Sequence, residues 1–150
     1  MNFHDYCVSS TVPECFLVDE TATEDLGIQL ARCTPPGGTW LLRGELGAGK
    51  TTWTRGFVAG LGGDPDQVAS PTYAVLHRYE TAQGRVFHLD LYRLGSGGAW
   101  SLGLEEQLRS DDRLVVEWAG EQGPWPTNWV ATLFLEMFKE GRKAQWTLPH

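Results

Sequence analysis

The feature that most constrains the fold of this chain is a glycine-rich stretch between a compact apolar run and a segment with the composition of a helix. The run at 39–43 is typical of a buried strand, and the segment at 50–61 is typical of a helix that ends at Gly62 and Gly63. A strand, a glycine loop and a helix in this order are the context that the P-loop motif requires. The stretch between them matches that motif and reads Gly44-Glu45-Leu46-Gly47-Ala48-Gly49-Lys50-Thr51, followed by Thr52.

The residue types in this loop suit a densely charged polyphosphate. Glycines let consecutive backbone N–H groups turn inward, and the helix beginning near Lys50 adds the positive end of its dipole. Lys50 supplies a full positive charge to the β and γ oxygens of a nucleoside triphosphate, and Thr51 is placed to ligate Mg²⁺. The alternative is a tight turn that feeds a helix and leaves Lys50 solvated. We expect ATP as the nucleotide, because no guanine-specific Asn-Lys-x-Asp pattern is evident.

Mg²⁺ needs further oxygen ligands, and two carboxylates stand where such ligands occur. Glu117 ends the apolar run 114–116, and Asp90 sits within the strand-like stretch Val86-Phe87-His88-Leu89-Asp90. Either resembles the acidic residue that ends the second strand of a P-loop core and reaches Mg²⁺ directly or through water. The alternative for each is an exposed strand carboxylate, but the P-loop in the same chain favours a role at the metal.

The remaining sequence alternates between helix and strand patterns. A short strand is predicted at 16–18, and a helix at 22–33 that begins with a capping box of Thr21 and Glu24. These elements predict an α/β fold, a P-loop NTPase-like three-layer sandwich with a mixed sheet and a C-terminal β-hairpin. The 150 residues suit one domain over 16–150, preceded by a loose segment over 1–15. The other predicted elements are a hairpin of 73–80 and 85–94, a short helix at 104–109, a buried strand at 114–116, and a closing hairpin of 129–138 and 143–148.

The charge of the chain argues against tight nucleic-acid binding by the chain alone. Its formal net charge is −7 and its pI is about 5.0, whereas neutralising phosphates needs clustered Lys and Arg. If RNA or DNA is involved, we expect a partner to hold it. The N-terminus lacks a signal-peptide pattern, and no apolar run approaches the roughly 18 residues that cross a bilayer. A cytoplasmic protein with no membrane association is the expectation.

The motifs in their order along the chain resemble one family. The P-loop is followed by Ser70-Pro71-Thr72-Tyr73, then by His88-Leu89-Asp90-Leu91-Tyr92-Arg93-Leu94, then by Glu117-Trp118. This order is similar to the TsaE family, the small bacterial ATPases of tRNA threonylcarbamoyladenosine biosynthesis. The likeness covers roughly 16–118, and the Glu-Leu-Gly-Ala filling of the P-loop is more specific than the bare motif. One departure is the glycine-rich segment 95–100, which stands where relatives carry an acidic segment.

The resemblance implies a cytoplasmic ATPase that acts on two partners of actin-like ATPase fold. One is a TsaD-like threonylcarbamoyl transferase, and the other is its paralogous, TsaB-like dimer partner. Together they modify the adenosine next to the anticodon, and the ATPase resets their dimer between turnovers. The chain would meet tRNA only indirectly, through that complex.

The resemblance also implies roles for individual residues. Lys50 holds phosphate, Thr51 and Glu117 hold Mg²⁺, Thr72 lies in a switch-like segment near the γ-phosphate, and Asp90 positions the attacking water. Asp90, Lys50 and Thr72 are thus the predicted catalytic residues. For His88 and Arg93 a structural role is favoured over a partner-facing or phosphate-facing one. The predicted nucleotide-binding positions are Glu45, Leu46, Gly47, Ala48, Gly49, Lys50, Thr51 and Thr52.

Two other functions share the P-loop. A small-metabolite kinase needs an acceptor pocket and a mobile, usually Arg-rich lid, but only Arg109 and Arg113 are basic between Arg93 and Glu117. A nucleotide-dependent docking module, in which hydrolysis is incidental, overlaps with the main interpretation. A rise in the rate of ATP hydrolysis on adding the partner dimer would support the main interpretation, and no rise would support the docking module.

Overall fold

The computed structural model describes residues 13–45, 47–68, 76–91, 103–117, 125 and 128–149. They form one mixed sheet with helices against it. Two long helices and a short one alternate with the strands, and a 3-10 turn at Pro65–Gln67 follows the second long helix. The elements are β1 (Glu14–Leu17), α1 (Glu20–Arg32), β2 (Thr39–Arg43), α2 (Lys50–Gly60), β3 (Leu76–Thr81), β4 (Gly84–Asp90), α3 (Leu104–Gln107), β5 (Arg113–Glu117), β6 (Val130–Phe138) and β7 (Gly141–Thr147).

The seven strands lie in the order β1-β7-β6-β2-β5-β4-β3. The four central strands β6, β2, β5 and β4 are parallel to one another. The pairs β1–β7, β6–β7 and β3–β4 are antiparallel. This arrangement confirms the predicted α/β class, the mixed sheet and both hairpins. Because β2, β4 and β5 run in the same direction, their carboxyl ends meet at one edge of the sheet.

Both long helices pack against one face of the sheet. Trp40 of β2, Trp53 of α2 and Trp146 of β7 are fully buried in the core on that face. The helices also contact each other through backbone rather than side chains. A Cβ atom on Gly27 would lie 2.2 Å from the carbonyl oxygen of Trp53, and one on Gly56 would lie 1.9 Å from that of Glu24. Only glycine allows this approach of α1 to α2.

A second, smaller core lies on the opposite face. Leu41 of β2, Phe87 and Leu89 of β4, and Leu114 and Val116 of β5 alternate with residues of the first core, as the period of two along a strand requires. The short helix α3 covers them with the fully buried Leu104. Strands buried on both faces read as continuous apolar runs, which explains the run at 114–116.

Several predicted boundaries need correction. The predicted capping box of Thr21 and Glu24 is wrong, because α1 begins at Glu20, two residues earlier than predicted. Its N-cap is Asp19, whose carboxylate accepts a hydrogen bond from the Ala22 N–H at 2.8 Å. The loose segment predicted at 1–15 overlaps β1, which pairs with β7 from Glu14 onward. Residues 1–12 lie outside the described part of the chain.

The remaining elements differ in length from the predictions. The helix predicted at 104–109 ends at Gln107, because the N–H of Arg109 donates to the Asp112 carboxylate at 2.8 Å instead of continuing the helix. Strand β4 ends at Asp90, whereas 94 was predicted, and 92–94 are not described. Among the helices of the described residues, none is long and apolar enough to cross a membrane.

Candidate functional site

The candidate site lies where the parallel strands end. Strand β2 passes directly into the glycine loop, β4 ends at Asp90 and β5 ends at Glu117. Asp90 and Glu117 are register partners across β4 and β5, and Glu117 is also opposite Leu42 of β2. The sheet therefore sets two carboxylates side by side, next to the start of the loop.

The loop presents an open helix terminus. Gly49, at the N-cap position of α2, has φ +105° and no side-chain cap, so the first N–H groups of the helix keep their hydrogen-bonding capacity for a ligand. Gly47 has φ +81°, and a Cβ there would meet no other described atom within 4 Å. A side chain at Gly44 is excluded for a different reason, because its Cβ would lie 2.4 Å from the carbonyl oxygen of Leu135.

Lys50 is the cation of this loop. Its side chain is buried, and Nζ donates to the carbonyl oxygens of Gly44 at 2.5 Å and Glu45 at 3.4 Å. Burial lowers the pKa of Lys50, while the nearby carboxylates of Glu117 and Asp90 act in the opposite direction and raise it. The Lys50 ammonium therefore interacts electrostatically with both carboxylates at the strand ends. The three charged groups face one small space.

That space is a cavity of about 550 Å³. The structure brings many of the predicted site residues to its wall, namely Gly47, Gly49, Lys50, Thr51, Thr52, Asp90 and Glu117. They come from three separate elements that only the sheet topology unites. These predicted residues thus contribute an uncapped helix terminus, an ammonium, two hydroxyls and two carboxylates to the wall of a single cavity.

The other predicted positions are placed differently. The side chain of Ala48 is fully buried in the first core, beneath the loop. Glu45 is exposed and lines a separate cavity of about 260 Å³ together with Phe134 and Lys143. Leu46 and Thr72 lie outside the described residues, so their assignments stay predictions.

The cavity wall is completed by two segments that the sequence analysis did not single out. The junction of β1 and α1 contributes Leu17 to Glu20 together with Thr23, and the turn of the C-terminal hairpin contributes Glu140 to Arg142. Arg142 reaches the loop itself, because its Nη2 donates to the Gly47 carbonyl oxygen at 2.9 Å. No local motif marks these residues, since their position depends on the pairing of β7 with β1 and β6.

Behind the cavity, Glu117 has a buried partner. His88 of β4 is fully buried, and its Nε2 lies 2.5 Å from Oε2 of Glu117. On its other side, Nδ1 of His88 lies 3.2 Å from the hydroxyl oxygen of Tyr79, a buried residue of β3. His88 thus connects the β3–β4 hairpin to a carboxylate of the cavity wall.

The groups in the cavity fit MgATP. Triphosphate oxygens suit the open N–H groups of α2 and the Lys50 ammonium. Mg²⁺ prefers oxygen, and it is usually bound by one or two protein ligands together with phosphate oxygens and waters. The Thr51 hydroxyl and the Glu117 carboxylate match that donor set. In the described parts of the chain, no three His, Cys, Asp or Glu side chains cluster as a metal site.

Comparison with known proteins identifies the relatives of this chain. A family model described as "Threonylcarbamoyl adenosine biosynthesis protein TsaE" matches residues 17–144. The tRNA threonylcarbamoyladenosine biosynthesis protein TsaE of Nostoc sp. is 32% identical over 147 residues, which cover 95% of this chain and 90% of that protein. The TsaE protein of Bacillus subtilis is 36% identical over 102 residues, or 68% and 63% of the two chains. The crystal structure of Bacillus subtilis YdiB aligns with a TM-score of 0.69 and 26% identity, covering 95% of this chain and 90% of that one.

Proposed function

The chain belongs to the TsaE family of threonylcarbamoyladenosine biosynthesis, and from this membership and the cavity geometry we propose that it binds and hydrolyses ATP with Mg²⁺ to support that modification of tRNA. One observation carries the proposal. Lys50, Thr51, Asp90 and Glu117 line the same cavity as the uncapped N-terminus of α2. A tight turn feeding a helix, with a solvated lysine, would bury no ammonium and gather no carboxylates.

The phosphates bind to the loop in this proposal. The N–H groups at the start of α2 and the Lys50 ammonium neutralise the β and γ oxygens. Lys50 then exchanges its contacts with the Gly44 and Glu45 carbonyls for stronger, charge-assisted ones. The apolar part of the wall, Leu17 and Val18, offers the adenine base a surface outside the phosphate region.

The carboxylates of Glu117 and Asp90 have different roles in this proposal. Thr51 and Glu117 hold Mg²⁺, and the bound ion would supply a Lewis acid for the charge that develops on the transferred phosphoryl group. Asp90, the register partner of Glu117, accepts a hydrogen bond from the attacking water and aligns it. For Thr72 the proposal keeps the role that the family resemblance implies, in a switch-like segment near the γ-phosphate.

The partners follow from the family and the charge. We propose that the chain docks on a TsaD-like transferase and its TsaB-like partner, with hydrolysis resetting their dimer. The net charge of −7 suits a component that leaves tRNA binding to that complex. The proposed location is the cytoplasm, where tRNA is modified.

Calorimetry and a reconstituted assay test the proposal. MgATP and MgADP should bind the wild-type chain, and Lys50→Ala should weaken MgATP binding by about 100-fold, since two or more charge-assisted contacts are lost. Arg109→Ala, which removes an exposed positive charge outside the cavity, is the matched control and should bind normally. Hydrolysis should be slow alone and rise when the TsaD-like and TsaB-like proteins are added.

Three outcomes would contradict it. Absence of saturable MgATP and MgADP binding to folded wild-type protein refutes the nucleotide site. Strong acceleration by a small phosphate acceptor, with little ATP spent on water, indicates a kinase. Nucleotide-sensitive binding to the partner dimer with no rise in hydrolysis indicates a docking module.

A further inference from the structure

A buried chain of hydrogen bonds leads from the β3–β4 hairpin to the carboxylate at the end of β5. The Tyr79 hydroxyl contacts Nδ1 of His88 at 3.2 Å, and Nε2 of His88 contacts Oε2 of Glu117 at 2.5 Å. Tyr79 is 3%, His88 0% and Glu117 4% exposed. These three side chains come from three adjacent strands, and a buried polar connection of this kind is costly unless every member is paired.

The two contacts are satisfied together by one tautomer of the imidazole. With its hydrogen on Nε2, His88 donates to the Glu117 carboxylate, while Nδ1 accepts from the Tyr79 hydroxyl. The carboxylate can only accept, so Glu117 requires the hydrogen on Nε2, and Tyr79 holds the imidazole in orientation from its other side. His88 in turn donates to Oε2 of Glu117 from the side away from the cavity. The other carboxylate oxygen, Oε1, is not engaged by His88.

The hydrophobic environment alone would favour a different residue at position 88. The flanking β4 residues Phe87 and Leu89 pack in the second core, while His88 points toward the other face with Val86. An aliphatic side chain would fill that position without a polar requirement. An imidazole there is explained by the carboxylate that it contacts.

We propose that His88 is a positioning residue for the Mg²⁺-binding carboxylate: held by Tyr79, it orients Glu117 toward the metal. The proposal rests on the proposed MgATP site. Carboxylate ligands are commonly oriented by an outer hydrogen-bond donor, and loss of that donor typically lowers metal affinity by about 10–100-fold. His88 is fully buried and is not part of the cavity wall, so its effect passes through Glu117.

Metal binding measured without turnover tests this role. Free Mn²⁺ is titrated by electron paramagnetic resonance in the presence of ADP, and ADP affinity is measured separately in EDTA. His88→Leu should lower Mn²⁺ affinity by about 10–100-fold and leave ADP affinity in EDTA within about twofold, because the phosphate contacts of the loop remain. His88→Gln should recover part of the loss, because its amide nitrogen donates from near the position of Nε2.

Two further variants separate positioning from packing. Tyr79→Phe removes one oxygen and should lower Mn²⁺ affinity by a smaller factor, of about two- to tenfold. His77→Gln alters the neighbouring imidazole, which is the register partner of His88 and whose ring lies against those of Tyr79 and His88. It leaves the two hydrogen bonds of His88 in place, so Mn²⁺ affinity should be unchanged. A melting temperature for each variant identifies any that fail to fold.

The outcomes are decisive in each case. Unchanged Mn²⁺ affinity in folded His88→Leu overturns the proposal, and if that variant does not fold, unchanged affinity in both Tyr79→Phe and His88→Gln overturns it. Equal losses of ADP affinity with and without metal also overturn it, because they indicate general damage to the site. If wild-type protein binds ADP but no Mn²⁺, the proposed metal site itself fails, which is distinct from a failure confined to the variants.

Discussion

The guanidinium of Arg142 donates a hydrogen bond to the carbonyl oxygen of Gly47 at 2.9 Å, so the turn of the C-terminal hairpin is attached to the glycine loop. Arg142 also lines the cavity beside that loop. Through this contact, residues that are 95 positions apart in the sequence share one wall, and the hairpin becomes part of the proposed nucleotide site.

Removal of this contact should weaken nucleotide binding. Arg142→Ala takes away a charged donor to the loop and a positive charge near the phosphates, so MgADP affinity should fall by about three- to tenfold. Lys143→Ala is the matched control, because adjacent strand residues face opposite sides of the sheet and Lys143 lies outside this cavity wall. Calorimetry with MgADP compares the two, and an equal effect of both changes would point to net charge alone.

Asp90 is expected to act on turnover and not on binding. Asp90→Ala should leave the Kd for MgATP within about threefold and lower kcat by about 10²–10⁴-fold, the usual contribution of a group that orients and activates the attacking water. Steady-state hydrolysis in the presence of the partner proteins measures this. Asp111→Ala, at an exposed position in the turn before β5, serves as the control, and normal hydrolysis by Asp90→Ala would remove Asp90 from the mechanism.

Glu117 should influence both the metal and the charge of Lys50. Glu117 raises the pKa of Lys50 against the larger effect of burial, so in Glu117→Gln that pKa should fall further. Phosphate binding needs the ammonium, and affinity is therefore lost as pH rises through the pKa of Lys50. In metal-free ADP titrations this loss should begin at a lower pH in Glu117→Gln than in wild type. Superimposable pH profiles would show that the two charges do not interact.

Stability should fall in mild acid because of His77. Burial lowers the pKa of His77 from its usual 6.5, and the nearby His88 lowers it further. The unfolded chain then binds a proton more readily than the folded one, so stability is lost as pH falls below about 6.5. Urea unfolding of wild type and His77→Gln between about pH 7.5 and about pH 5.5 measures the difference. The variant should show the shallower dependence, and parallel curves would exclude His77 as a contributor.

The contact between the two long helices should be intolerant of a single methyl group. Gly56→Ala places a Cβ 1.9 Å from the Glu24 carbonyl oxygen, so it should destabilise the protein by about 1–3 kcal/mol although alanine favours helices. Asp25→Ala, on the exposed side of α1, should change stability by less than about 0.5 kcal/mol. Urea unfolding followed by circular dichroism measures both, and a stabilised Gly56→Ala would mean that the helices separate easily.

The sequence was informative where function imposes a local pattern. The P-loop, α2 and both hairpins follow from residue spacing. Glu117 is a candidate because it ends an apolar run, and Asp90 because it lies within a predicted strand of a chain that carries a P-loop. It was uninformative where a contact depends on register between distant strands, as for Arg142. The capping error at Thr21 has a local cause: Asp19 competes for the same turn, and its carboxylate accepts the hydrogen bond from Ala22. The role of His88 is invisible without the pairing of β4 with β5.

The glycine crossing of α1 and α2 has a mechanical consequence. Where the glycines cross, backbone lies directly against backbone with no side chain between, so we expect the two helices to move together as one rigid unit. One end of that unit is the terminus of α2 at Lys50, where we propose that phosphate binds. A tilt of that terminus on binding ATP or ADP should therefore also tilt α1, which reaches the outer surface of the molecule. Another protein that binds α1 could then distinguish the ATP-bound from the ADP-bound state.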